Sequence, residues 1–249
     1  MRADQLLVER GLASSRSQAQ RLIASGVRWL DRGTWKAVGK NGDEVPSEAP
    51  IELLDTAEAR YVSRGGLKLE GALKEGGIVA AGKTCLDVGQ STGGFTDCLL
   101  QHGAARVTGV DVGHGQLHAN VRADPRVLAI EQLNARELSA DQVGSDFDLI
   151  VGDLSFISMT LVLPALAPLL KPAGDLLMLV KPQFELQPGQ VGKHGIVTDP
   201  ALHAVVEQRV RECCAALGLP VRGWYASPIT GGDGNQEFFV HATRTGRTR

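Results

Sequence analysis

Four charged side chains of alternating sign, at the ends of predicted strands and in one predicted helix, could together remove a proton from a substrate. Asp153 and Lys181 each follow an apolar run of the kind that forms a buried strand. Glu237 opens the last predicted strand, and Lys68 lies in the helix that precedes the first. Ligands of open α/β sheets bind outside the carboxyl ends of the strands, so we expect these side chains to meet there. Because burying one charge alone is costly, the four would form a near-neutral cluster.

Such a cluster suits the removal of a proton from a weakly acidic hydroxyl. A lysine takes a proton when burial and a second nearby lysine lower its pKa. We predict that Lys181 is this base and that Asp153 orients its amine. Lys68 and Glu237 would position the group that carries the hydroxyl. Much of the gain in rate would come from the alignment of the reacting atoms.

A glycine-rich stretch from Asp87 to Thr96 predicts where a ligand binds. It follows a short apolar run and precedes an apolar helical pattern, which is how a doubly wound sheet opens. Its glycines let the backbone come close to a ligand, because no Cβ stands in the way. A dinucleotide loop would have a glycine where this chain has Ser91, and the lysine of a phosphate-cradling loop is missing.

The pattern that remains fits a nucleoside without a pyrophosphate, and we predict S-adenosylmethionine. Asp87 would face its cationic amino-acid end, and Asp111, at the end of the next strand, would bind its ribose hydroxyls. The alternative is a tight strand-to-helix turn that binds nothing, and the acid at Asp111 counts against it. The predicted cofactor residues are Asp87, Gly89, Ser91, Thr92, Gly93, Gly94, Asp111 and Asn134.

The residues after the fourth strand exclude two other kinds of methyl acceptor. Methylation of a base amino group tends to use Asp/Asn-Pro-Pro-aromatic there, and this chain reads Asp-Leu-Ser-Phe at 153–156. Methylation of a pyrimidine carbon needs a cysteine nucleophile, and none of the four cysteines lies in this region. A ribose 2'-hydroxyl is the acceptor that we infer. Three phenylalanines are interpreted as core or pocket walls, one of which could stack a splayed base, at Phe156, Phe184 and Phe238.

The elements that hold these residues are predicted from apolar periodicity and turn residues. After the strand that enters the glycine loop, strands are predicted near 106–111, 127–131, 147–152, 175–180, 221–226 and 237–243. Helices are predicted from residue 63 or 65 to 77 and near 115–122, 159–170 and 200–217. A short turn between the last two strands predicts an antiparallel hairpin. The fold class is therefore α/β, a Rossmann-like seven-stranded methyltransferase sheet, with a loop at 182–198 over the site.

The N-terminal part of the chain is predicted to be a small basic α+β domain. Up to residue 40 it has eight basic and three acidic residues, although the formal net charge of all 249 residues is -2. Two short helices end near Gly11 and Gly26, and short strands follow over 27–54. A solvated basic face without a partner is the alternative to RNA binding. The predicted RNA contacts are Arg2, Arg16, Arg21 and Arg64.

Composition places the chain among ordinary globular proteins, with 43% hydrophobic and 22% charged residues. We predict domains at 1–55 and 63–249 joined by a linker at 56–62. The four cysteines have no metal-site spacing and no secretory leader ahead of them, so we expect a cytoplasmic protein with reduced thiols. The six histidines make no metal set, and no apolar run reaches the length of a membrane span. We expect a monomer that needs no metal and no membrane.

Two sets of motifs resemble known families. The phrase from Leu7 to Ile23 is very similar to the S-four-type (alpha-L) RNA-binding module. The other motifs resemble the TlyA family, often described as haemolysins, whose members are FtsJ-like ribosomal RNA 2'-O-methyltransferases acting on cytidine. These motifs lie at 62–69, 87–96, 111–117, 153–158, 180–185, 227–228 and 234–237.

The resemblance implies a specific activity, the methylation of a cytidine ribose in ribosomal RNA by S-adenosylmethionine. Matched position by position, the family's Lys-Asp-Lys-Glu tetrad falls on Lys68, Asp153, Lys181 and Glu237. The early start of the chain and its brief tail resemble the family's short form, which implies large-subunit (23S) rRNA. Gln90 replaces the more usual alanine of the loop, where it would narrow the cofactor mouth without abolishing binding.

Two other functions are weighed against this one. A non-catalytic ribosome-assembly factor would bind RNA and keep the cofactor for structure, and the intact tetrad counts against it. A membrane-active haemolysin would need a leader or an apolar span, and the sequence shows neither.

Overall fold

The structure is a computed structural model that describes residues 1–54 and 60–246. The chain divides into two units, Met1–Leu67 and Lys68–Arg249. Each unit has its own cluster of buried apolar side chains. Residues 56–59 of the predicted linker lie outside the described residues.

Two short helices open the first unit, α1 (Ala3–Glu9) and α2 (Arg16–Gly26). Ser15 caps α2, because its hydroxyl accepts a hydrogen bond from the backbone N–H of Gln18 at 3.2 Å. Gly11 follows α1 with φ +69°, a conformation that glycine adopts without strain. The two helices bury Ala3, Leu6, Leu7, Ala19, Leu22 and Ile23 against each other and the strands.

Three short strands complete this unit: β1 (Val27–Asp31), β2 (Thr34–Ala37) and β3 (Ile51–Leu53). They form an antiparallel sheet in the order β2-β1-β3. The turn between β1 and β2 has positive φ at both Arg32 and Gly33, which matches the twist of a tight hairpin. Helices followed by small strands confirm the predicted α+β character of this part of the chain.

A larger α/β fold follows. Its helices are α3 (Gly65–Gly76), α4 (Gly94–Gln101), α5 (Ala119–Ala123), α6 (Ala140–Val143), α7 (Met159–Leu166), α8 (Pro182–Glu185) and α9 (Pro200–Ala216). Its strands are β4 (Thr84–Val88), β5 (Arg106–Val110), β6 (Val127–Ile130), β7 (Phe147–Asp153), β8 (Leu170–Val180), β9 (Val221–Ala226) and β10 (Phe238–Thr243).

The seven strands form one sheet in the order β6-β5-β4-β7-β8-β10-β9. The strands from β4 to β8 pair in parallel, whereas β10 is antiparallel to both β8 and β9. Alternating helices and parallel strands cover both faces of the sheet, which is why β4 and β7 are almost continuously buried. The predicted fold class, a seven-stranded Rossmann-like sheet with a terminal antiparallel pair, is confirmed.

Four elements differ in extent from their predictions. Helix α7 ends at Leu166 rather than near 170, and a 3-10 turn, Ala167–Leu169, follows it. Helix α5 begins only at Ala119, because the ring Nδ1 of His118 caps it by accepting from the N–H of Asn120 at 3.2 Å. Strand β8 begins five residues earlier than predicted, since Leu170 pairs with Phe147 across an irregular register. The predicted loop at 182–198 contains α8, which its first proline favours.

Candidate active site

The topology brings the four predicted catalytic residues into one place. Asp153 is the last residue of β7, and Lys181 directly follows β8. Glu237 directly precedes β10, which is antiparallel, so its first residue lies at the same edge as the ends of β7 and β8. Lys68 is the fourth residue of α3. All four belong to the second unit.

Two ion pairs organise these four side chains. Nζ of Lys68 lies 2.5 Å from Oε2 of Glu237, and Nζ of Lys181 lies 2.6 Å from Oδ1 of Asp153. The first pair is nearly enclosed, with side chains 9% and 3% exposed, and the second is somewhat more exposed, at 11% for Lys181 and 23% for Asp153. Pairing each cation with an anion removes most of the cost of placing four charges together.

Glu237 links the two pairs electrostatically. Burial raises the pKa of its carboxyl, and the charge of Lys68 is the largest influence that opposes the rise. Lys181 also lowers the pKa of Glu237, and Asp153 raises it, so the four charges act on one another. Gly231 leaves room for this carboxylate, because a Cβ there would lie 2.7 Å from Oε1 of Glu237.

Ser155 is a member of this site that the sequence analysis did not assign. Nζ of Lys181 donates a hydrogen bond to its hydroxyl oxygen at 2.9 Å. Within the described residues, Oδ1 of Asp153 takes part in no contact with hydrogen-bond geometry, although the lysine amine is 2.6 Å away. Lys181 therefore has a charged neighbour in Asp153 and a hydrogen-bonded neighbour in Ser155.

The glycine-rich loop joins β4 to α4 and lies against the end of β7. Gly89 has φ +84°, and a Cβ on it would lie 2.6 Å from the carbonyl oxygen of Asp153. Gly93 caps α4 in the left-handed region with φ +98°. Gly94 is the first residue of the helix, and Thr92 accepts the backbone N–H of residue 118 at 3.0 Å. Through Gly89 the loop lies beside Asp153, one of the predicted catalytic residues.

Asp87 lies beneath the loop at the end of β4. Its side chain is fully buried, and Oδ2 accepts the hydroxyl of Thr96 at 2.6 Å. Burial raises the pKa of Asp87 to about 7. The other oxygen, Oδ1, has no hydrogen-bond partner in the described part of the chain. A buried acceptor without a donor is costly, so a nearby cation would stabilise this carboxylate.

Gln90 extends this buried network. Its amide donates to Thr96 Oγ1 at 2.9 Å, and the side chain lies over the backbone of Gly109 in β5. With only 5% of its surface exposed, Gln90 turns into the sheet and does not narrow the mouth of the loop as expected. The absence of a side chain at Gly109 provides the room.

The second predicted acid, Asp111, is tied to the loop directly after β5. Its Oδ2 accepts the N–H of Ser91 at 2.7 Å, and its Oδ1 accepts the N–H of Gly113 at 2.7 Å. Ser91 holds φ +48°, an unusual conformation for a residue with a Cβ. The exposed Asn134 follows β6, and its side-chain oxygen caps a short 3-10 turn by accepting from the N–H of Arg136 at 3.1 Å.

The predicted RNA contacts of the first unit have structural partners. Arg2 and Arg16 both pair with Asp4, each at 3.0 Å, and the carboxylate of Asp4 is fully buried. The hydrogen bond from Arg2, more than any other influence, holds the pKa of Asp4 below its usual range. Arg21 donates to the backbone of its own helix at 3.2 Å, and Arg64 is half-buried just before α3. Arg2 and Arg16 each keep about half of the side chain exposed.

In residues 1–54 and 60–246, no group of three or more His, Cys, Asp and Glu side chains has an arrangement that could bind a metal ion. The helices of this same described portion are all too short or too polar to cross a lipid bilayer.

A seven-stranded sheet with a glycine loop after its first strand and charged residues at its strand ends defines a Rossmann-like methyltransferase. Family models agree: FtsJ-like methyltransferase matches residues 61–244, and the S4 domain matches residues 1–26. The chain belongs to the TlyA family of FtsJ-like methyltransferases and has an S4 domain at its N-terminus. The predicted family is confirmed.

Relatives match nearly the whole chain. The 16S/23S rRNA (cytidine-2'-O)-methyltransferase TlyA of Mycobacterium tuberculosis is 46% identical over 96% of this chain and 88% of its own. The 23S rRNA (cytidine-2'-O)-methyltransferase TlyA of Campylobacter jejuni is 32% identical over 97% of this chain and 98% of its own. A solved structure of a candidate hemolysin from Streptococcus thermophilus is 40% identical, covers 98% of this chain and 88% of its own, and has a TM-score of 0.76.

Proposed function

We propose that this methyltransferase transfers a methyl group from S-adenosylmethionine to the ribose 2'-hydroxyl of a cytidine in ribosomal RNA. The observation that carries the proposal is the pair of ion pairs at the strand ends, Lys68–Glu237 and Lys181–Asp153. A 2'-hydroxyl is a poor nucleophile that must lose its proton as it attacks, and a lysine at the strand ends can accept it.

Lys181 acts as the general base in this proposal. When bound beside these residues, S-adenosylmethionine would supply an electrophilic methyl group to the ribose oxygen and would leave as a neutral thioether. The ammonium of Lys181 first releases a proton to solvent, and its amine then takes the hydroxyl proton and returns to the ammonium form that pairs with the carboxylate of Asp153 at 2.6 Å. Lys68 and Glu237, held 2.5 Å apart, position the ribose.

The residues around the glycine loop fit the cofactor. Asp87 has a buried oxygen without a donor and a pKa raised to about 7, so the ammonium of a bound amino-acid group would favour its ionised form. The half-exposed carboxylate of Asp111 ends the next strand, where ribose hydroxyls bind in such sheets. The remaining assigned contacts are Gly89, Ser91, Thr92, Gly93, Gly94 and Asn134.

A pair of aromatic rings supports an RNA substrate. Phe156 is 90% exposed and has φ +64°, and its ring centroid is 5.1 Å from that of Phe184. We take this exposed ring and the positive φ of its backbone as support for a binding role. Phe156 follows Ser155, which contacts Lys181, so a base stacked on its ring would bring its ribose toward the amine.

The S4 domain and the relatives support the choice of RNA. We propose that Arg2, Arg16, Arg21 and Arg64 contact rRNA phosphates, because the first two keep exposed guanidinium surface. The names of both TlyA relatives include 23S rRNA, and one also includes 16S rRNA. Large-subunit rRNA is therefore the substrate we propose, for a monomeric enzyme that meets it in the cytoplasm.

Transfer of labelled methyl to separated large and small ribosomal subunits tests the proposal. We expect label in the large subunit, at a ribose oxygen of a cytidine, and its loss in Lys181→Ala. Lys171→Ala is the matched control, because Lys171 forms an exposed pair with Asp148 at the other end of β7. Label in both subunits would retain the chemistry and reject the subunit choice. No label with intact cofactor binding would favour an assembly factor, and leakage from liposomes would favour a haemolysin.

A further inference from the structure

The turn after β7 brings a hydroxyl to the amine of the proposed base. Ser155 lies two residues beyond Asp153, and its Oγ accepts a hydrogen bond from Nζ of Lys181 at 2.9 Å. The side chain of Ser155 is exposed, so it does not fill a space in the core. Its contact with Lys181 is consequently available for a role in the reaction.

The geometry of an amine explains what this contact does. A neutral amine has two N–H bonds and one lone pair, and it rotates about the terminal bond of a flexible stem. The charge of Asp153 attracts the amine, but no contact at its Oδ1 has hydrogen-bond geometry within the described residues. A single attraction of this kind leaves the rotation about the last bond undetermined.

Ser155 removes that freedom. With one N–H bonded to Ser155, the carboxylate of Asp153 favours the rotation in which the other N–H faces its charge and the lone pair of Lys181 points away from it. We infer that Ser155 is a positioning residue, which holds the lone pair of Lys181 toward the ribose 2'-hydroxyl. This inference rests on the proposed function of Lys181 as the base. In the reaction the hydroxyl proton passes to that lone pair, and Ser155 remains chemically unchanged.

The variants Ser155→Ala and Ser155→Thr test this role. In single-turnover methylation with saturating S-adenosylmethionine and RNA, Ser155→Ala should lower the rate about tenfold to a hundredfold, because misplacing a reacting group by 1 Å costs on the order of 10². KM for RNA and the Kd of S-adenosylhomocysteine should stay at wild-type values. Ser155→Thr keeps the hydroxyl and should recover most of the rate.

Ser158→Ala is the matched control. Ser158 lies three residues further on, and its hydroxyl donates to Glu185 at 2.6 Å and caps α7. Loss of the Ser158 hydroxyl should lower the melting temperature and leave the rate of methyl transfer unchanged. Ser155→Ala should lower the rate of methyl transfer and leave the melting temperature unchanged.

Two results would overturn the inference. One is a wild-type single-turnover rate for Ser155→Ala, and the other is a loss that Ser155→Thr does not restore. Lys181→Ala, measured in parallel, separates this failure from that of the proposed function. If Lys181→Ala is inactive while Ser155→Ala has the wild-type rate, the positioning role of Ser155 is rejected and the assignment of Lys181 as the base stands. If Lys181→Ala is active, the assignment of the base fails.

Discussion

The amine of Lys68 and the carboxylate of Glu237 lie 2.5 Å apart, although 169 positions separate them in the chain. Both side chains are buried, so removing one leaves the other charge without a partner. We expect Lys68→Met to lower the free energy of unfolding by about 3 kcal/mol or more, as for other broken buried pairs. Urea denaturation measures the change.

Two further variants make this prediction specific. Lys83→Met breaks the more exposed pair with Asp175, and it should cost less than about 1 kcal/mol. The double variant Lys68→Met/Glu237→Gln should be more stable than the sum of its single changes predicts, because neither charge is left alone. Additive losses would contradict a direct interaction.

Asp87 should make stability depend on pH. Its pKa is about 7 in the folded protein and about 4 in an unfolded chain, so the folded protein binds the extra proton between these values. The free energy of unfolding should therefore fall as pH rises from about 4 to 7, by up to about 4 kcal/mol from this group. Asp87→Asn should flatten the curve in that window. Equal slopes for both proteins would show that Asp87 titrates normally.

The same carboxyl should link cofactor binding to protons. A bound ammonium favours ionised Asp87, so the Kd of S-adenosylhomocysteine should rise as pH falls below about 7. Methylthioadenosine lacks the amino-acid group and should show no such dependence on pH. Calorimetry in buffers of different ionisation enthalpy would detect the released proton.

A side chain at position 109 should be tolerated only if the side chain of Gln90 is made smaller. A Cβ at position 109 would lie 2.0 Å from the amide nitrogen of Gln90, which has little room to move because it is 5% exposed. Gly109→Ala should displace that amide, break its bond to Thr96 and weaken binding of S-adenosylhomocysteine. Gln90→Ala should restore binding in the double variant. A double variant as weak as Gly109→Ala alone would rule out the proposed collision.

Phe156 should affect RNA but not stability. Because its side chain is 90% exposed, Phe156→Ala should leave the melting temperature within about 2 °C of the wild type. KM for RNA should rise, since base stacking on an aromatic ring is worth about 1–3 kcal/mol. Phe156→Trp should retain most of the affinity. Leu161→Ala, which removes another half-exposed apolar side chain, serves as the control.

Substitutions at Asp4 and Arg16 should affect stability and RNA binding of the S4 domain separately. Its carboxylate holds Arg2 and Arg16, and its low pKa means that this stability is present near neutral pH and is lost as pH falls. Asp4→Asn should lower the melting temperature and leave both cations available to RNA. Arg16→Gln should instead weaken RNA binding and reduce its salt dependence by about one phosphate contact.

The sequence predicted where the four residues Lys68, Asp153, Lys181 and Glu237 lie, but not which lysine pairs with which carboxylate. Lys181 and Asp153 could be located because each follows an apolar run that ends a strand. Which lysine meets which acid depends on the strand order, and on β10 lying next to β8, neither of which any local pattern encodes. The contact of Ser155 with Lys181 depends on the path of a turn, and a lone serine in a sequence carries no signal for it.

Charge counting was similarly limited in the first unit. Arg2 and Arg16 contribute to a basic excess that predicts RNA binding, and their exposed surface keeps that prediction open. Their shared partner, Asp4, is buried in a seven-residue helix too short to show a clear period. The sequence of the second helix alone cannot show that Arg16 meets a carboxylate from another helix.

The strand order β8-β10-β9 also has a consequence for synthesis of the protein. Strand β10 is the last of these seven strands to be synthesised, yet it lies between two strands that were made earlier. Until it arrives, β9 has no neighbour to pair with in the finished sheet, and Lys68 has no Glu237. Non-local pairings of this kind form late in folding. Newly made chains should therefore acquire the complete tetrad and the complete seven-stranded sheet in the same step, after translation has passed Thr243.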